Sequence, residues 1–164
     1  MGKHERPGKS DEWYTPKYIF DAMGVAFDLD VAAPEAGPLH TPASEWFFHD
    51  SLRQLWFGFV WMNPPFGKRN GITPWLSKFL HHGDGVALTP DRTSAPWFLN
   101  YMRFMDALLF VSPKIHFIPG PGAKASNPAQ GTCLSAKGPH GVRALQNAAA
   151  KNLGLLVYPA KAHG

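Results

Sequence analysis

Cysteine, charged residues and long apolar runs are all scarce in this sequence. Cys133 is the single cysteine among 164 residues, which excludes an intramolecular disulfide and suits a reducing compartment. Its side chain is predicted to be a small buried apolar group rather than a reactive thiol. No apolar run approaches the roughly 20 residues of a membrane helix, and residues 1–10 lack the apolar core of a secretory leader. We therefore expect a cytoplasmic protein.

Charged residues make up only 17% of the chain and hydrophobic residues 45%, a balance that excludes global disorder. A length of 164 residues suits one domain with a substantial core. We expect that domain to span residues 11–164, after a flexible basic tail at residues 1–10. The net charge of +4 permits a polyanionic partner without requiring one.

Predicted strands and helices alternate along the chain. Apolar runs predict strands at residues 27–34, 45–49, 57–62, 85–90, 106–111, 115–118, 131–136 and 155–158. Helix signals predict helices at residues 16–23, 73–80 and 142–152, with Thr15 as the first N-cap, Gly24 ending the first helix and Gly154 ending the third. A loop and a further helix start are predicted at residues 91–98. Several strands are apolar throughout, as in a sheet covered on both faces. The pattern predicts an α/β fold with a Rossmann-like core, a mostly parallel sheet and an antiparallel edge.

The stiffest segment of the chain is Asn63-Pro64-Pro65-Phe66. Neither proline has a backbone N–H, and each fixes its own φ and extends its predecessor. The Asn63 side-chain oxygen and the Pro64 carbonyl are therefore two acceptors on one rigid segment, which suits the two hydrogens of an exocyclic amine. Phe66 offers a flat apolar surface on which a ring carrying that amine could stack.

The position of this segment favours a ligand site over a proline-rich surface turn. It directly follows the predicted strand at residues 57–62, so it would lie at a carboxyl strand end, where open α/β sheets bind their ligands. Asp30 also ends a predicted strand and favours a ligand amine or ribose hydroxyl, although a paired surface acid is the alternative. Asp28 is predicted to share its face. Asp50 either ends a third strand or caps the following turn.

Basic residues lie near the same predicted strand ends. Lys68 and Arg69 follow the rigid segment, and Arg92 follows the strand at residues 85–90, so all three could contact phosphate. His81 and His82 end the second helix and are predicted to act as caps, because no Cys or acidic residue has metal-ligand spacing to them. We predict no metal site.

Several short segments, in this order, resemble the phage-type DNA N6-adenine methyltransferase (Dam) family. They are Trp13-Tyr14-Thr15-Pro16, residues 27–33, Asp50-Ser51-Leu52, residues 61–67, Ile72-Thr73-Pro74-Trp75, and the stretch from Arg92-Thr93 to Trp97-Phe98. The resemblance runs from Asp11 to about Ala136. Two departures from the family pattern stand out: no glycine-rich signature follows the first strand, and Phe66 stands where many relatives have tyrosine.

The resemblance implies a Rossmann-like methyltransferase that uses S-adenosylmethionine and flips an adenine out of double-stranded DNA. It implies a catalytic group, a cofactor-binding group and a DNA-binding group of residues. These are Asn63, Pro64, Pro65 and Phe66 for catalysis; Trp13, Thr15, Pro16, Asp28, Asp30, Ala32 and Asp50 for the cofactor; and Lys68, Arg69, Arg92 and Lys114 for DNA. It also implies a bacterial host of a phage or prophage.

Three other functions remain open at this point. An N4-cytosine methyltransferase uses the same amine chemistry, and a protein-glutamine methyltransferase can use the same tetrapeptide, although the basic loops fit a polyanion better. The third is a catalytically silent nucleic-acid-binding module of the same fold. The interval between Asp30 and Asn63 is too short for a separate recognition domain, so base reading is expected from loops such as residues 119–129.

Overall fold

The computed structural model describes residues 13–65, 71–120 and 130–161. The predicted tail at residues 1–10, Phe66, Lys68, Arg69 and most of the loop at residues 119–129 lie outside these ranges. Across the described residues the elements are β1 Trp13–Tyr14, α1 Lys17–Met23, β2 Phe27–Asp30, β3 Ala43–Trp46, β4 Val60–Met62, α2 Thr73–His82, β5 Gly85–Pro90, α3 Pro96–Met102, β6 Ala107–Val111, β7 Ile118–Pro119, β8 Thr132–Lys137, α4 Gly138–Ala150 and β9 Gly154–Val157. A 3-10 turn at Ser51–Arg53 precedes β4.

Seven strands form one mixed sheet in the order β3-β2-β4-β5-β8-β6-β9. The pairs β3–β2, β2–β4 and β4–β5 are parallel, whereas β5–β8, β8–β6 and β6–β9 are antiparallel. Hence β2 to β6 share one direction, and β8 and β9 run against it. The predicted α/β class is confirmed, but antiparallel pairing is not confined to the edge, because β8 is internal. Because β8 is antiparallel to β6, it starts at the end of the sheet where β6 ends.

Helices cover both faces of this sheet. Residues of α1 and α4, such as Phe20 and Leu145, pack in one buried cluster with Trp61 of β4. Residues of α2 and α3, such as Phe79 and Phe98, pack in a second cluster on the other face. The apolar strands are thus explained by burial on two sides. No helix within the described ranges is long and apolar enough to cross a membrane.

Local signals placed most elements well, but several boundaries differ. The third strand ends at Trp46, so Asp50 does not end a strand as predicted, and α4 begins at Gly138. Gly24 ends α1 in a left-handed conformation (φ 62°), as predicted, but Pro16 is the N-cap and no side chain caps this helix. The Thr15 N-cap is therefore wrong. Asn152 (φ 60°), rather than Gly154, adopts the left-handed conformation after α4, and Gly154 begins β9. The strand predicted at residues 115–118 shrinks to β7, which pairs with β1 in a separate two-stranded sheet.

The start of β2 is held to β4 by an irregular pairing. The N–H groups of Asp28 and Leu29 both approach the Phe59 carbonyl, at 2.8 and 3.4 Å, which is the pattern of a β-bulge. The Asp28 carboxylate accepts the Phe59 N–H at 2.7 Å. Asp28 is exposed whereas Asp30 is 3% exposed, so the two carboxylates, expected on one face, lie in different surroundings.

Gly58 makes this pairing possible. Its φ is +66°, and a Cβ at this position would lie 2.3 Å from an Asp28 carboxylate oxygen. Only glycine fits without moving that carboxylate from the Phe59 N–H. The sequence between β3 and β4 is therefore constrained by a residue 30 positions earlier.

We predict that Gly58→Ala destabilises the fold far more than Gly83→Ala. Both glycines have positive φ, but a Cβ at Gly83 (φ +81°) would meet nothing within 4 Å. Gly83→Ala should lower the free energy of unfolding by about 1 kcal/mol through backbone strain alone, and Gly58→Ala by about 3 kcal/mol because of the added clash. Urea unfolding measures both. Equal losses would show that the contact with Asp28 is unimportant.

Candidate active site

The sheet brings four chain segments together at one edge. Asp30 ends β2, Asn63 follows β4, Pro90 ends β5, and Thr132 begins the reversed strand β8 opposite Pro90. A cleft of about 1330 Å³ opens at this edge, and all four residues line it. The predicted placement of Asn63 at a carboxyl strand end is confirmed, and the cleft lies where open α/β sheets bind ligands.

The rigid segment is oriented by a contact with the beginning of the chain. Asn63 Nδ2 donates a hydrogen bond to Thr15 Oγ1 at 3.4 Å, and Thr15 is 5% exposed. This long hydrogen bond uses the amide nitrogen and therefore turns the other amide atom, Oδ1, away from Thr15. Pro64 is buried and Pro65 is exposed. The structure thus offers an acceptor oxygen on a proline-stiffened loop in the cleft.

Asp30 is the buried acid of the cleft. Its carboxylate accepts the Ala32 N–H at 3.1 Å. Burial raises the pKa of Asp30 to about 7, and hydrogen bonds from Ala32 and the Thr41 side chain only partly offset that effect. A carboxylate that is desolvated to this extent gains much from a hydroxyl or ammonium donor. The alternative of a surface acid is wrong, because Asp30 is 3% exposed.

A turn at Asp50–Arg53 forms another part of the cleft lining. Asp50 has a left-handed conformation (φ 50°), and its side chain makes no capping hydrogen bond to the 3-10 turn. The cap interpretation of Asp50 is therefore wrong. Its exposed carboxylate instead lies 3.3 Å from His49 Nδ1.

Lys78 anchors this turn from the outside, and sequence reasoning missed it. Its Nζ donates to the carbonyls of Ser51 (3.2 Å), Leu52 (3.0 Å) and Gln54. It also lies 5.1 Å from the centre of the Trp56 ring, and Trp56 Nε1 donates to the Ser51 carbonyl at 3.0 Å. Partial burial lowers the pKa of Lys78. No local signal reveals such contacts, because the partners are 24–27 residues apart.

The remaining lining combines aromatic surfaces with one unexpected polar group. Trp13, Phe47, Trp75 and Phe117 supply flat apolar area. The Thr132 hydroxyl is buried and has no hydrogen-bond partner among the described residues. Such a hydroxyl at a cleft is an available donor or acceptor for a polar ligand. Its position in an apolar strand gave no sign of this role.

Not all predicted site residues meet in the cleft. Trp13, Thr15, Asp30, Ala32, Asp50 and Asn63 to Pro65 line it, whereas Pro16 and Asp28 do not. Arg92 and Lys114 are exposed after the carboxyl ends of β5 and β6, at the edge where the cleft opens. Phe66, Lys68 and Arg69 lie outside the described residues. Cys133, His81 and His82 do not line the cleft either.

Cys133 and the histidines of α2 have structural surroundings. Cys133 is buried, and burial raises the pKa of its thiol to about 12, which confirms the apolar interpretation. His81 Nδ1 lies 2.8 Å from the Ser77 carbonyl of its own helix. His82 Nε2 lies 2.7 Å from the Gly58 carbonyl. Both histidines thus satisfy backbone carbonyls near the end of α2.

One comparison with known proteins identifies a family. The family model described as DNA N-6-adenine-methyltransferase (Dam) matches residues 3–135, a range that contains every residue lining the cleft. No curated protein and no solved structure gives a significant match. Because the match spans most of the 164 residues, the chain belongs to the DNA N-6-adenine-methyltransferase (Dam) family.

Proposed function

We propose that this protein transfers a methyl group from S-adenosylmethionine to N6 of adenine in double-stranded DNA. The observation that carries the proposal is the position of Asn63, which lies on a rigid loop in the same cleft as the buried acid Asp30. Family membership supports the reaction and the DNA substrate. The cleft is large enough for a cofactor and a base together.

The lining of the cleft fits S-adenosylmethionine, which would supply an electrophilic methyl group on its sulfonium. Asp30 would accept a hydrogen bond from an amine or hydroxyl of the cofactor, at a carboxylate that burial has made a strong acceptor. Thr132 offers an unpartnered hydroxyl. Trp13, Ala32 and Asp50 lie in the same lining, so they would complete the cofactor contacts.

The chemical task of Asn63 is to make a poor nucleophile reactive. The lone pair of adenine N6 is delocalised into the ring. If Asn63 Oδ1 and the Pro64 carbonyl accept the two N6 hydrogens, the nitrogen becomes pyramidal and its lone pair points at the methyl group. These hydrogen bonds strengthen as positive charge develops on the nitrogen, so they favour the transition state over the ground state. The bond from the methyl carbon to sulfur would break as the bond to N6 forms, and N6 would then release one proton to solvent, so no general base with a shifted pKa is required.

The target base must leave the duplex to reach this loop, so the protein would flip it. Phe66, directly after the prolines, would stack on the extruded ring. Arg92 and Lys114 would hold the DNA backbone at the same edge, together with Lys68 and Arg69. Such contacts make binding strongly salt-dependent.

We expect Asn63→Ala to lower the rate of DNA methylation at least about 100-fold, by analogy with loss of one transition-state hydrogen-bonding group. The affinity for S-adenosylmethionine should change less than about threefold, because Asn63 contacts the base and not the cofactor. Asn63→Asp keeps an acceptor oxygen and should retain more activity than Asn63→Ala. Methyl incorporation into DNA and calorimetry with the cofactor measure these effects.

Asn147→Ala is the matched control for this test. Asn147 also donates from Nδ2 to an oxygen, the Met23 carbonyl at 2.9 Å, but it does not line the cleft. The control should methylate DNA at the wild-type rate if it is folded. Wild-type activity in Asn63→Ala would refute the assignment of Asn63.

Asp30→Asn should weaken cofactor binding without destabilising the protein at pH 8. Because the folded-state pKa of about 7 lies above the ordinary value of 3.8, the contribution of Asp30 to stability falls as pH rises from about 4 to 7. The cost of its ionisation is on the order of 4 kcal/mol at higher pH. Asp30→Asn removes that cost, so the ligand-free variant should be at least as stable as wild type at pH 8.

The cofactor should respond in the opposite direction. Wild-type affinity for S-adenosylmethionine should increase from pH 6 to pH 8 as Asp30 ionises, and Asp30→Asn should lose at least about tenfold in affinity at pH 8. Asp106→Asn is the control, since its carboxylate also accepts a backbone N–H, that of Gly138 at 2.8 Å, but does not line the cleft. An equal loss of affinity in both variants would contradict the role of Asp30.

A further inference from the structure

A second cavity, of about 720 Å³, opens beside the cleft. Its walls come from the start of α1, the segment after β6 and the residues after α4. The polar and charged residues of its lining include Tyr18, Asp21, Lys114, His116, Lys151 and Asn152. The proposed reaction uses none of them except Lys114.

This cavity lies at the same edge of the sheet as the cleft. The strand β6 ends at that edge, and α1 begins there after Thr15. Because β8 runs in the reverse direction, α4 starts at the opposite edge and returns, so Lys151 lies at the cleft edge. His116 lines the cavity and the next residue, Phe117, lines the cleft. The two cavities are therefore lined by consecutive residues at this end of the sheet.

The charge of the cavity is positive. Lys114 and Lys151 are exposed, and Lys151 Nζ donates only to a backbone oxygen in the described structure, the Asp21 carbonyl at 3.2 Å. Asp21 is the one acid among the described residues of the lining. Both of its carboxylate oxygens accept from Lys17 Nζ at 2.8 Å, so its charge is compensated by that residue.

Neutral donors accompany these cations. A tyrosine phenol is protonated near neutral pH, and partial burial raises the pKa of Tyr18 further, so its hydroxyl can donate. The side-chain amide of Asn152 is exposed in the same lining. Ammonium groups together with hydroxyl and amide donors suit an oxyanion, above all a phosphate with several acceptor oxygens.

We propose that this cavity binds a backbone phosphate of the DNA strand next to the target adenine, held by Lys114 and Lys151. The proposal rests on the proposed function, which brings DNA to the adjoining cleft. A phosphate fixed here would set the position of the duplex relative to Asn63. Free phosphate has the same chemistry as a backbone phosphate, so binding of DNA and of inorganic phosphate are measured separately.

Binding of the full-length protein to a fluorescent DNA duplex, measured across salt concentrations, tests this site. The double variant Lys114→Gln/Lys151→Gln should bind DNA about tenfold more weakly at 0.1 M salt. The slope of log K against log salt should be shallower by about one for the lost phosphate contact. Affinity for S-adenosylmethionine should not change, because neither lysine lines the cleft.

Arg103→Gln is the matched control. Arg103 is exposed and lies between the end of α3 and the start of β6, at the opposite end of the sheet. Its substitution therefore removes one positive charge far from the cavity. The control should bind DNA within about twofold of wild type. The single variants Lys114→Gln and Lys151→Gln each remove one charge, as Arg103→Gln does. If Arg103→Gln weakens DNA binding as much as either of them, the loss reflects overall charge and the site is refuted.

Three further outcomes keep the proposals apart. If wild type methylates DNA and the folded double variant binds DNA normally, the phosphate site and the DNA contact of Lys114 fail, while the proposed methyl transfer stands. If inorganic phosphate raises the melting temperature of wild type but not of the double variant, with DNA affinity unchanged in both, the cavity takes a free anion instead of DNA. If wild type neither binds nor methylates DNA, both proposals fail.

Discussion

The candidate site depends on the parallel pairing of β2 with β4. This pairing places Leu29 beside Val60 and Asp30 beside Trp61. The buried acid and the loop that begins at Asn63 therefore lie together at the carboxyl ends of the two strands. The pairing is fixed at its start by the Asp28 carboxylate on the Phe59 N–H and by the absence of a side chain at Gly58. A shift of one residue would move Asp30 out of register with the acceptor loop.

One buried acid and several exposed basic residues lie around this pair, together with the exposed acid Asp50. The acid Asp30 is nearly fully buried, and its raised pKa records how poorly its surroundings solvate a charge. The basic residues Arg92, Lys114 and Lys151 are exposed at the edge of the sheet. The buried carboxylate suits a ligand that donates a hydrogen bond inside the cleft. The exposed cations suit a polyanion outside it. The proposed reaction needs both features, a buried acceptor for the cofactor and exposed cations for the DNA backbone.

Local signals predicted much of the fold, since strands and helices of this chain are set mainly by nearby residues. The apolar run at β5 and the Thr-Pro start of α2 predicted those elements closely. The rigid prolines after β4 predicted a loop at the end of a strand, and that loop lines the cleft. What failed involved distant partners. Thr15 carries a helix-start signal, yet its hydroxyl accepts from Asn63, 48 residues away, and Lys78 stabilises a turn that precedes it by more than 20 residues. The internal position of β8, between β5 and β6, likewise depends on how the chain passes between strands. The residue types of β8 do not reveal it.

The most direct measurement is the identity of the methylated product. Unmethylated plasmid DNA is incubated with the protein and S-adenosylmethionine carrying a labelled methyl group, then digested to nucleosides and analysed by mass spectrometry. We predict that the label appears in N6-methyldeoxyadenosine. Label in N4-methyldeoxycytidine, or unlabelled DNA with folded protein that binds the cofactor, would contradict adenine methylation by this protein.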